Sequence, residues 1–350
     1  MKTDEEKLSQ GIKSGDMSRV YYLYGEERFL TKTYTDRILD KTVGKDRNDI
    51  NLVKLGEVFP VDALIDSIDA LPLFADSKAV LINDLDLDKF EDNDIEAIIA
   101  ALGDVPDECT VVISITGAND QLKKAKNKKL INALTKQKDA AVCEFSYMAV
   151  PKVADLIVKK AAKRGCIISV ADARRIAEMT LCDLSLCSAE TDKLCSYAGS
   201  GKITPDMIDK LIVKQLDTNI FALSAELAKG NCKQALHILD DLFSQRKEPE
   251  IILASLASNY IDFYRAKAAL NKGISADKTA TDFAYAKNRT FVVSKAMKLV
   301  KTLDMAHIRE SLNILSETDL ALKTTGTDRR ATLEKAIIKL SSQKSRREYY

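Results

Sequence analysis

The sequence has no apolar run near the roughly 20 residues that a membrane-spanning helix needs. Its first residues, Met1-Lys2-Thr3-Asp4-Glu5-Glu6-Lys7, are charged where a secretion signal would be apolar, so export is not expected. Histidine is scarce. His237 and His307 lie far apart within helical patterns and read as surface or packed residues, neither base nor ligand. Neither accompanies a nucleophile in a recognisable motif, which leaves Ser/His/Asp catalysis unsupported. The seven cysteines include no Cys-x-x-Cys pair. Cys182, Cys187 and Cys195 share one helical region but lack neighbouring histidines and a zinc-like spacing. They read as reduced thiols of a cytoplasmic protein, and no metal site or cofactor is expected. A net charge of +1 provides no whole-molecule field to attract nucleic acid, so any such contact must come from a local patch. No repeat of fixed period appears, which counts against a solenoid.

What is present is a chain of 350 residues, 46% hydrophobic and 30% charged, the balance of a globular protein with more than one core. Three segments differ in character. Up to about residue 148, short apolar runs alternate with helical patterns. Val20–Tyr24, Ile50–Leu55, Ala79–Ile82, Thr110–Ile115 and Ala140–Phe145 read as strands. Arg28–Leu39, Val61–Ala70, Ile95–Leu102 and Lys126–Lys136 read as helices. The alternation predicts an α/β layer with a mostly parallel sheet, in which Tyr21, Tyr22 and Tyr24 point to two buried faces. From about residue 149 the strands stop. Pro151 opens a helix over Lys152–Lys163, and Ser169 caps Ala171–Thr180. Leu184–Tyr197 follows, and Thr204-Pro205 starts a helix running to Val213. Beyond about Leu216 the spacing is helical throughout: Ile220–Lys229, Lys233–Ser244, Glu250–Leu270, Ser294–Thr302, Met305–Leu322 and Arg330–Leu340. Gly230 and Gly273 mark stops. The charged tail Gln343–Tyr350 is expected to fray.

An α/β layer followed by helices invites a nucleotide hypothesis, tested at the first strand-to-helix turn, Gly25-Glu26-Glu27-Arg28-Phe29-Leu30-Thr31-Lys32-Thr33. A phosphate loop needs Gly-x-x-x-x-Gly-Lys-Ser/Thr, so that backbone N–H groups and the lysine close on phosphate. Leu30 stands at the second glycine position and Thr31 at the lysine position. Lys32-Thr33 is one residue out of register, a rotation of roughly 100° on a helix. Glu26 and Glu27 put negative charge beside a polyanion. The run Val80-Leu81-Ile82-Asn83-Asp84-Leu85 lacks the Asp-Glu pair of a second nucleotide motif. No ATP hydrolysis is expected, and a binding or mechanical subunit fits better. The alternative is an AAA+-like ATPase with an unorthodox phosphate loop.

One connection is unusual. Leu71-Pro72-Leu73-Phe74 lies where the chain turns from the Val61–Ala70 helix to the Lys78–Asn83 strand. Connections are normally polar and superficial. Either Leu73 and Phe74 fold back into the core, the commoner fate of large apolar residues, or they are displayed as a plug for a partner's pocket.

Several of these stretches carry a family resemblance. Tyr22-Leu23-Tyr24-Gly25-Glu26-Glu27-Arg28-Phe29-Leu30 resembles the opening of the delta subunit of bacterial DNA polymerase III, the clamp-loader wrench. Leu71-Pro72-Leu73-Phe74-Ala75-Asp76 resembles the next signature of that family, and Ala189–Gly199 ahead of Ile203-Thr204 another. Ile220-Phe221-Ala222-Leu223 with Ala235-Leu236, and Asp319-Leu320-Ala321-Leu322-Lys323, complete the series. Each motif is loose alone; their order over most of the chain makes the match specific. The resemblance implies an α/β plus all-α fold in three parts. These are an AAA+-like, clamp-binding parallel-sheet module without a functional phosphate loop (1–148), a small helical lid (149–215) and a helical collar for oligomerisation (216–350).

It further implies a subunit with no catalysis of its own inside a DNA-directed DNA polymerase holoenzyme. Its partners would be the sliding clamp, the ATPase and delta-prime-like clamp-loader subunits met through the collar, and primed DNA, with no membrane. Its task would be to bind the clamp and open, or hold open, the ring during replication. Carried over residue by residue, Leu71, Pro72, Leu73 and Phe74 are the clamp-binding residues, with Leu73 and Phe74 as the plug. Clamp-binding peptides resemble Gln-Leu-x-Leu-Phe. Ala70 stands in the glutamine place and removes one polar anchor. Lys123, Lys124, Lys126, Lys128 and Lys129 crowd one stretch. A solvated helix face is the commoner meaning; DNA contact is the alternative, without interleaved aromatics for base stacking. Arg329-Arg330 and Arg346-Arg347 are weaker candidates of the same kind.

Overall fold

The computed structural model describes residues 2–46, 50–116, 124–212, 216–286, 289–324, 326 and 328–343. Lys123, Val213 and Arg346-Arg347 lie outside the described residues. The chain divides into two units, Met1–Tyr147 and Met148–Tyr350.

The first unit is an α/β layer. Its elements in chain order are β1 (Lys2–Thr3), α1 (Glu5–Ser14), β2 (Val20–Gly25), α2 (Arg28–Thr42), β3 (Leu52–Leu55) and α3 (Val61–Asp69). There follow β4 (Lys78–Asn83), α4 (Asp92–Gly103), β5 (Cys109–Ile115), α5 (Ala125–Lys136) and β6 (Ala140–Phe145). The six strands form one sheet in the order β1-β6-β2-β5-β4-β3. Every neighbouring pair is parallel, with Val20 opposite both Val111 and Ala140. A parallel sheet covered by its crossover helices makes its central strands apolar on both faces. Accordingly all six residues of β2 are buried, Tyr21, Tyr22 and Tyr24 among them. One face packs Val80, Ile82, Val111 and Ile113 against Leu64 and Ile68 of α3, Ile95 and Ile98 of α4 and Leu130 and Leu134 of α5.

The second unit is helical. It contains α6 (Val150–Lys163), α7 (Val170–Met179), α8 (Leu184–Ala198), α9 (Pro205–Leu211), α10 (Leu216–Lys229) and α11 (Cys232–Ser244). Next come α12 (Pro249–Asn271), α13 (Ala276–Asp282), α14 (Thr290–Leu299), α15 (Met305–Thr324) and α16 (Arg329–Ser342). The starts obey the caps read from sequence: Ser169 accepts from the Asp172 N–H at 3.0 Å, and Thr204 accepts from the Met207 N–H at 3.4 Å ahead of Pro205. Tyr260 and Phe263 of α12 meet edge to face at the centre of the core built by α10 to α16. His237 is exposed beside Asp241 at 3.4 Å, while His307 is buried.

Several elements differ from the pattern reading. β3 starts at Leu52, with Ile50 exposed outside it, and α14 starts at Thr290, four residues early. β1, α1, α13 and a 3-10 turn at Leu87–Lys89 have no counterpart in it. α1 buries only the i, i+4 pair Leu8 and Ile12, too short a stripe to stand out, and α13 buries only Thr279 and Ala280 and carries none. Among the described residues no helix is long and apolar enough to cross a membrane, and no group of three His, Cys, Asp or Glu could hold a metal.

Candidate functional site

α3 ends at Asp69, and the chain reaches β4 through Ala70 to Ser77. α3 is amphipathic: Leu64 and Ile68 are buried under the sheet and its last apolar contact is made before the turn. The turn residues do not fold back. Leu71 is 79% exposed, Leu73 56% and Phe74 fully exposed. Pro72 between them is half-buried. Phe74 also has φ 55°, the left-handed region, which costs an L-residue about 1–2 kcal/mol. A bulky aromatic there is an outlier, and solvent exposure offers no packing to offset it.

Two buried polar side chains hold this turn. The Asn51 amide, at the start of β3, donates Nδ2–H to the Leu73 carbonyl and accepts the Leu73 N–H at Oδ1, both at 2.8 Å. Asn51 is itself fixed, since its carbonyl accepts the Ala79 N–H of β4 at 2.8 Å. Lys78, the first residue of β4 and 5% exposed, donates Nζ to the Ser67 carbonyl at 2.7 Å and to that of Ala70. A cation at a helix C-terminus satisfies carbonyls that have no partner within the helix and meets the negative end of its dipole. Burial pulls the Lys78 pKa below the usual lysine value, against the opposing pull of Cys109 and Asp69. Beyond the tetrapeptide, Ser77 donates its hydroxyl to the Thr42 carbonyl at 2.6 Å. The turn is thus tied at Ala70, Leu73 and Ser77 while its apolar side chains face solvent. Sequence reasoning missed Asn51 and Lys78, because a polar residue just before a strand or at its first position carries no periodic signal.

The strand-to-helix turn after β2, an interior strand, lies at the carboxyl end of the parallel strands, whereas the tetrapeptide lies at the amino end of β4. Gly25 has φ 142°, and a Cβ there would come within 2.1 Å of the Phe145 carbonyl oxygen. Its glycine serves close passage of β2 against β6. Glu27 is buried and caps α2, accepting the Phe29 N–H at 3.3 Å. A carboxylate therefore occupies the helix N-terminus where a phosphate would be held. At the end of β4, Asp84 takes the Thr116 N–H at 2.6 Å and the Thr116 hydroxyl at 3.0 Å. The carboxylate in the second motif's place is engaged with the residue that follows the neighbouring strand β5.

The lysine stretch forms the start of α5. Lys124 pairs with Asp88, Lys126 donates to the Phe90 carbonyl at 2.7 Å and lies 3.8 Å from Asp92, and Lys129 pairs with Glu96 at 2.9 Å. Lys128 is exposed on the same helix. Much of this positive charge is met by the acidic residues of α4 and of the Leu87–Lys89 turn.

Comparison with known proteins assigns the chain. The family profile described as DNA polymerase III, delta subunit matches residues 21–146, and that of the delta subunit's C-terminal domain matches residues 217–340, together well over half of the sequence. The chain belongs to the DNA polymerase III delta-subunit family. A relative at 25% identity over 339 residues, covering 95% of both chains, is DNA polymerase III subunit delta of Bacillus subtilis. The solved structure of the Bacillus subtilis DNA clamp loader delta protein superposes with a TM-score of 0.72 at 22% identity, covering 97% of this chain and 99% of that one. The delta-subunit fold, an AAA+-like parallel-sheet module followed by helices, is therefore the fold of this chain. The first profile contains the whole Leu71–Phe74 turn together with Asn51 and Lys78.

Proposed function

We propose that this delta-family chain is a non-catalytic clamp-loader subunit that binds the polymerase's sliding clamp through Leu71, Pro72, Leu73 and Phe74 and opens, or holds open, its ring. The observation that carries the reading is Phe74: a fully exposed aromatic on left-handed backbone, beside an exposed Leu73, on a turn anchored from beneath. Strain of that kind persists where the surroundings over-determine it, as at sites built to engage a partner. Burying the two side chains would contribute roughly 1.5–3 kcal/mol each. That suits a hot spot within a larger interface.

The binding mode follows from the hydrogen bonds. Leu73 has committed its N–H and C=O to Asn51. A partner recognises this turn by taking its side chains into a pocket rather than by adding a strand to it. Ring opening then needs no chemistry in this chain. Contacts that are stronger with the open clamp than with the closed one shift the ring's equilibrium by that difference and no more. The helical segment 149–215 is read as the lid and 216–350 as the collar that joins the ATPase and delta-prime-like subunits. Primed DNA enclosed by the assembly would meet α5 by exchanging the carboxylates on Lys124, Lys126 and Lys129 for phosphates, with Lys128 exposed on the same helix.

A clamp carrying a fluorescent pair across one ring interface tests the proposal. Adding the chain without ATP is expected to separate the pair, and a wild-type chain that binds the clamp without any separation refutes the opening role. The ATPase alternative makes a different prediction. Glu27 at the start of α2 excludes phosphate, so the isolated chain is expected to retain no radiolabelled ATP. Stoichiometric tight binding would overturn the non-catalytic assignment.

A further inference from the structure

We propose that Asn51 and Lys78 are positioning residues that hold the Leu73-Phe74 plug in its binding conformation before any partner arrives, an inference that rests on the clamp-binding reading above. The geometry points this way because the two side chains grip the turn only through its backbone. Asn51 takes both polar groups of Leu73 at 2.8 Å, the two-point pairing that a neighbouring strand would otherwise make. Lys78 holds the carbonyls of Ser67 and Ala70, which fixes where α3 stops and where the turn leaves it. Neither contact involves the side chains of Leu73 or Phe74, which stay exposed.

Both anchors are built into the sheet. Asn51 is tied to β4 by the Ala79 N–H, and Lys78 belongs to β4 itself, its own N–H donating to the Glu108 carbonyl at 2.8 Å. Burial of Asn51 and Lys78 to 9% and 5% exposure keeps water from competing for the same carbonyls. A turn carrying Phe74 at φ 55° would otherwise relax to commoner backbone conformations. The polar anchors and the strained aromatic form one device: the sheet edge stores a conformation that an unanchored loop would populate only in part. When the competent state is a fraction of the ensemble, apparent affinity falls by that fraction. Removing an anchor therefore lowers the association rate while leaving dissociation of the formed complex nearly unchanged.

The experiment uses the full chain on surface-immobilised sliding clamp, with amide hydrogen exchange of the free chain in parallel. Asn51→Ala is expected to slow association by about fivefold to a hundredfold, the equivalent of two net hydrogen bonds, with dissociation within about twofold. Exchange of the Leu73 amide should speed up while that of the β2 and β5 amides does not. Asn51→Asp keeps the acceptor for the Leu73 N–H but sets a carboxylate oxygen against the Leu73 carbonyl in place of the donor, and should slow association at least as much as Asn51→Ala. It also serves if Asn51→Ala fails to fold. Lys78→Met should slow association in the same way. In a Leu73→Ala/Phe74→Ala background, Asn51→Ala should have no further effect, since no plug remains to be positioned. Unchanged association of Asn51→Ala and Asn51→Asp, with binding still lost in Leu73→Ala/Phe74→Ala, overturns the positioning role and leaves the plug standing. Normal binding by the folded Leu73→Ala/Phe74→Ala chain removes the plug, and the positioning role with it.

Discussion

Replacing Phe74 by glycine should make the protein slightly more stable and much worse at binding. Phe74 is fully exposed, so truncation removes no buried surface from the folded chain. Its φ of 55° costs about 1–2 kcal/mol as a non-glycine residue, which glycine recovers. Glycine in turn loses about 0.5–1 kcal/mol through the greater freedom of the unfolded chain. The balance is a gain of about 0.5–1 kcal/mol, or roughly 2 °C in the unfolding midpoint for a unit of this size. Phe74→Asn tests the same strain with less entropic cost, because asparagine tolerates left-handed backbone. Against the clamp the sign reverses. Losing a buried phenylalanine removes roughly 1.5–3 kcal/mol, about tenfold to more than a hundredfold in affinity. Thermal denaturation of the full chain and equilibrium titration of the clamp give the two numbers. A core role would instead cost about 3–5 kcal/mol of folding stability. A midpoint lowered by more than about 4 °C in both variants would refute the account of Phe74 as a displayed, strained side chain.

Gly25→Ala should unfold the α/β unit, at a cost on the order of 4 kcal/mol or more, because the new Cβ would meet the Phe145 carbonyl oxygen at 2.1 Å. Loss of the far-UV signal or of soluble expression checks it, and a stable variant would show that β2 and β6 can part without harm. The same unit should unfold in alkali. Burial pushes Cys109 up to about 11 and Cys143 to about 12, and burial pushes Tyr21 and Tyr24 to about 12. Raised values in the folded state mean that their stabilising contribution is complete below the ordinary thiol and phenol values and is lost as pH climbs through 11 and 12. Lys78, with its value lowered by burial, acts in the opposite sense, adding stability as pH rises towards 10.5, but it is one group against four. An unfolding midpoint that stays flat from pH 9 to pH 12 would contradict that balance.

The α/β alternation was legible because a covered parallel sheet makes each strand a short apolar block, and Lys78–Asn83 and Ala140–Phe145 stand out as such. Long helices such as α12 and α15 announce themselves by repeated three-four spacing. α1 escaped because a single apolar pair among ten mostly polar residues gives too short a pattern to read as a helix, and α13 because it buries a threonine and an alanine. The tetrapeptide was visible as an anomaly, yet its sequence alone left core and surface open. The difference is made by exposure, which depends on where α3 stops, and that depends on Lys78 reaching back to Ser67 and Ala70. Asn51 lies 22 positions from Leu73 and touches only its backbone, so no side-chain pattern links them. The lysine stretch shows the reverse: conspicuous in sequence, it meets acidic partners at Asp88, Asp92 and Glu96 once folded.

The most direct measurement is the affinity of the folded full chain for the sliding clamp, wild type against Leu73→Ala/Phe74→Ala. With both side chains exposed in the free chain, the double variant should keep the wild-type unfolding midpoint within about 2 °C. Its affinity should fall by about a hundredfold to ten-thousandfold, two burials of roughly 1.5–3 kcal/mol each. A folded double variant that binds the clamp within about twofold of wild type would contradict the account at its centre.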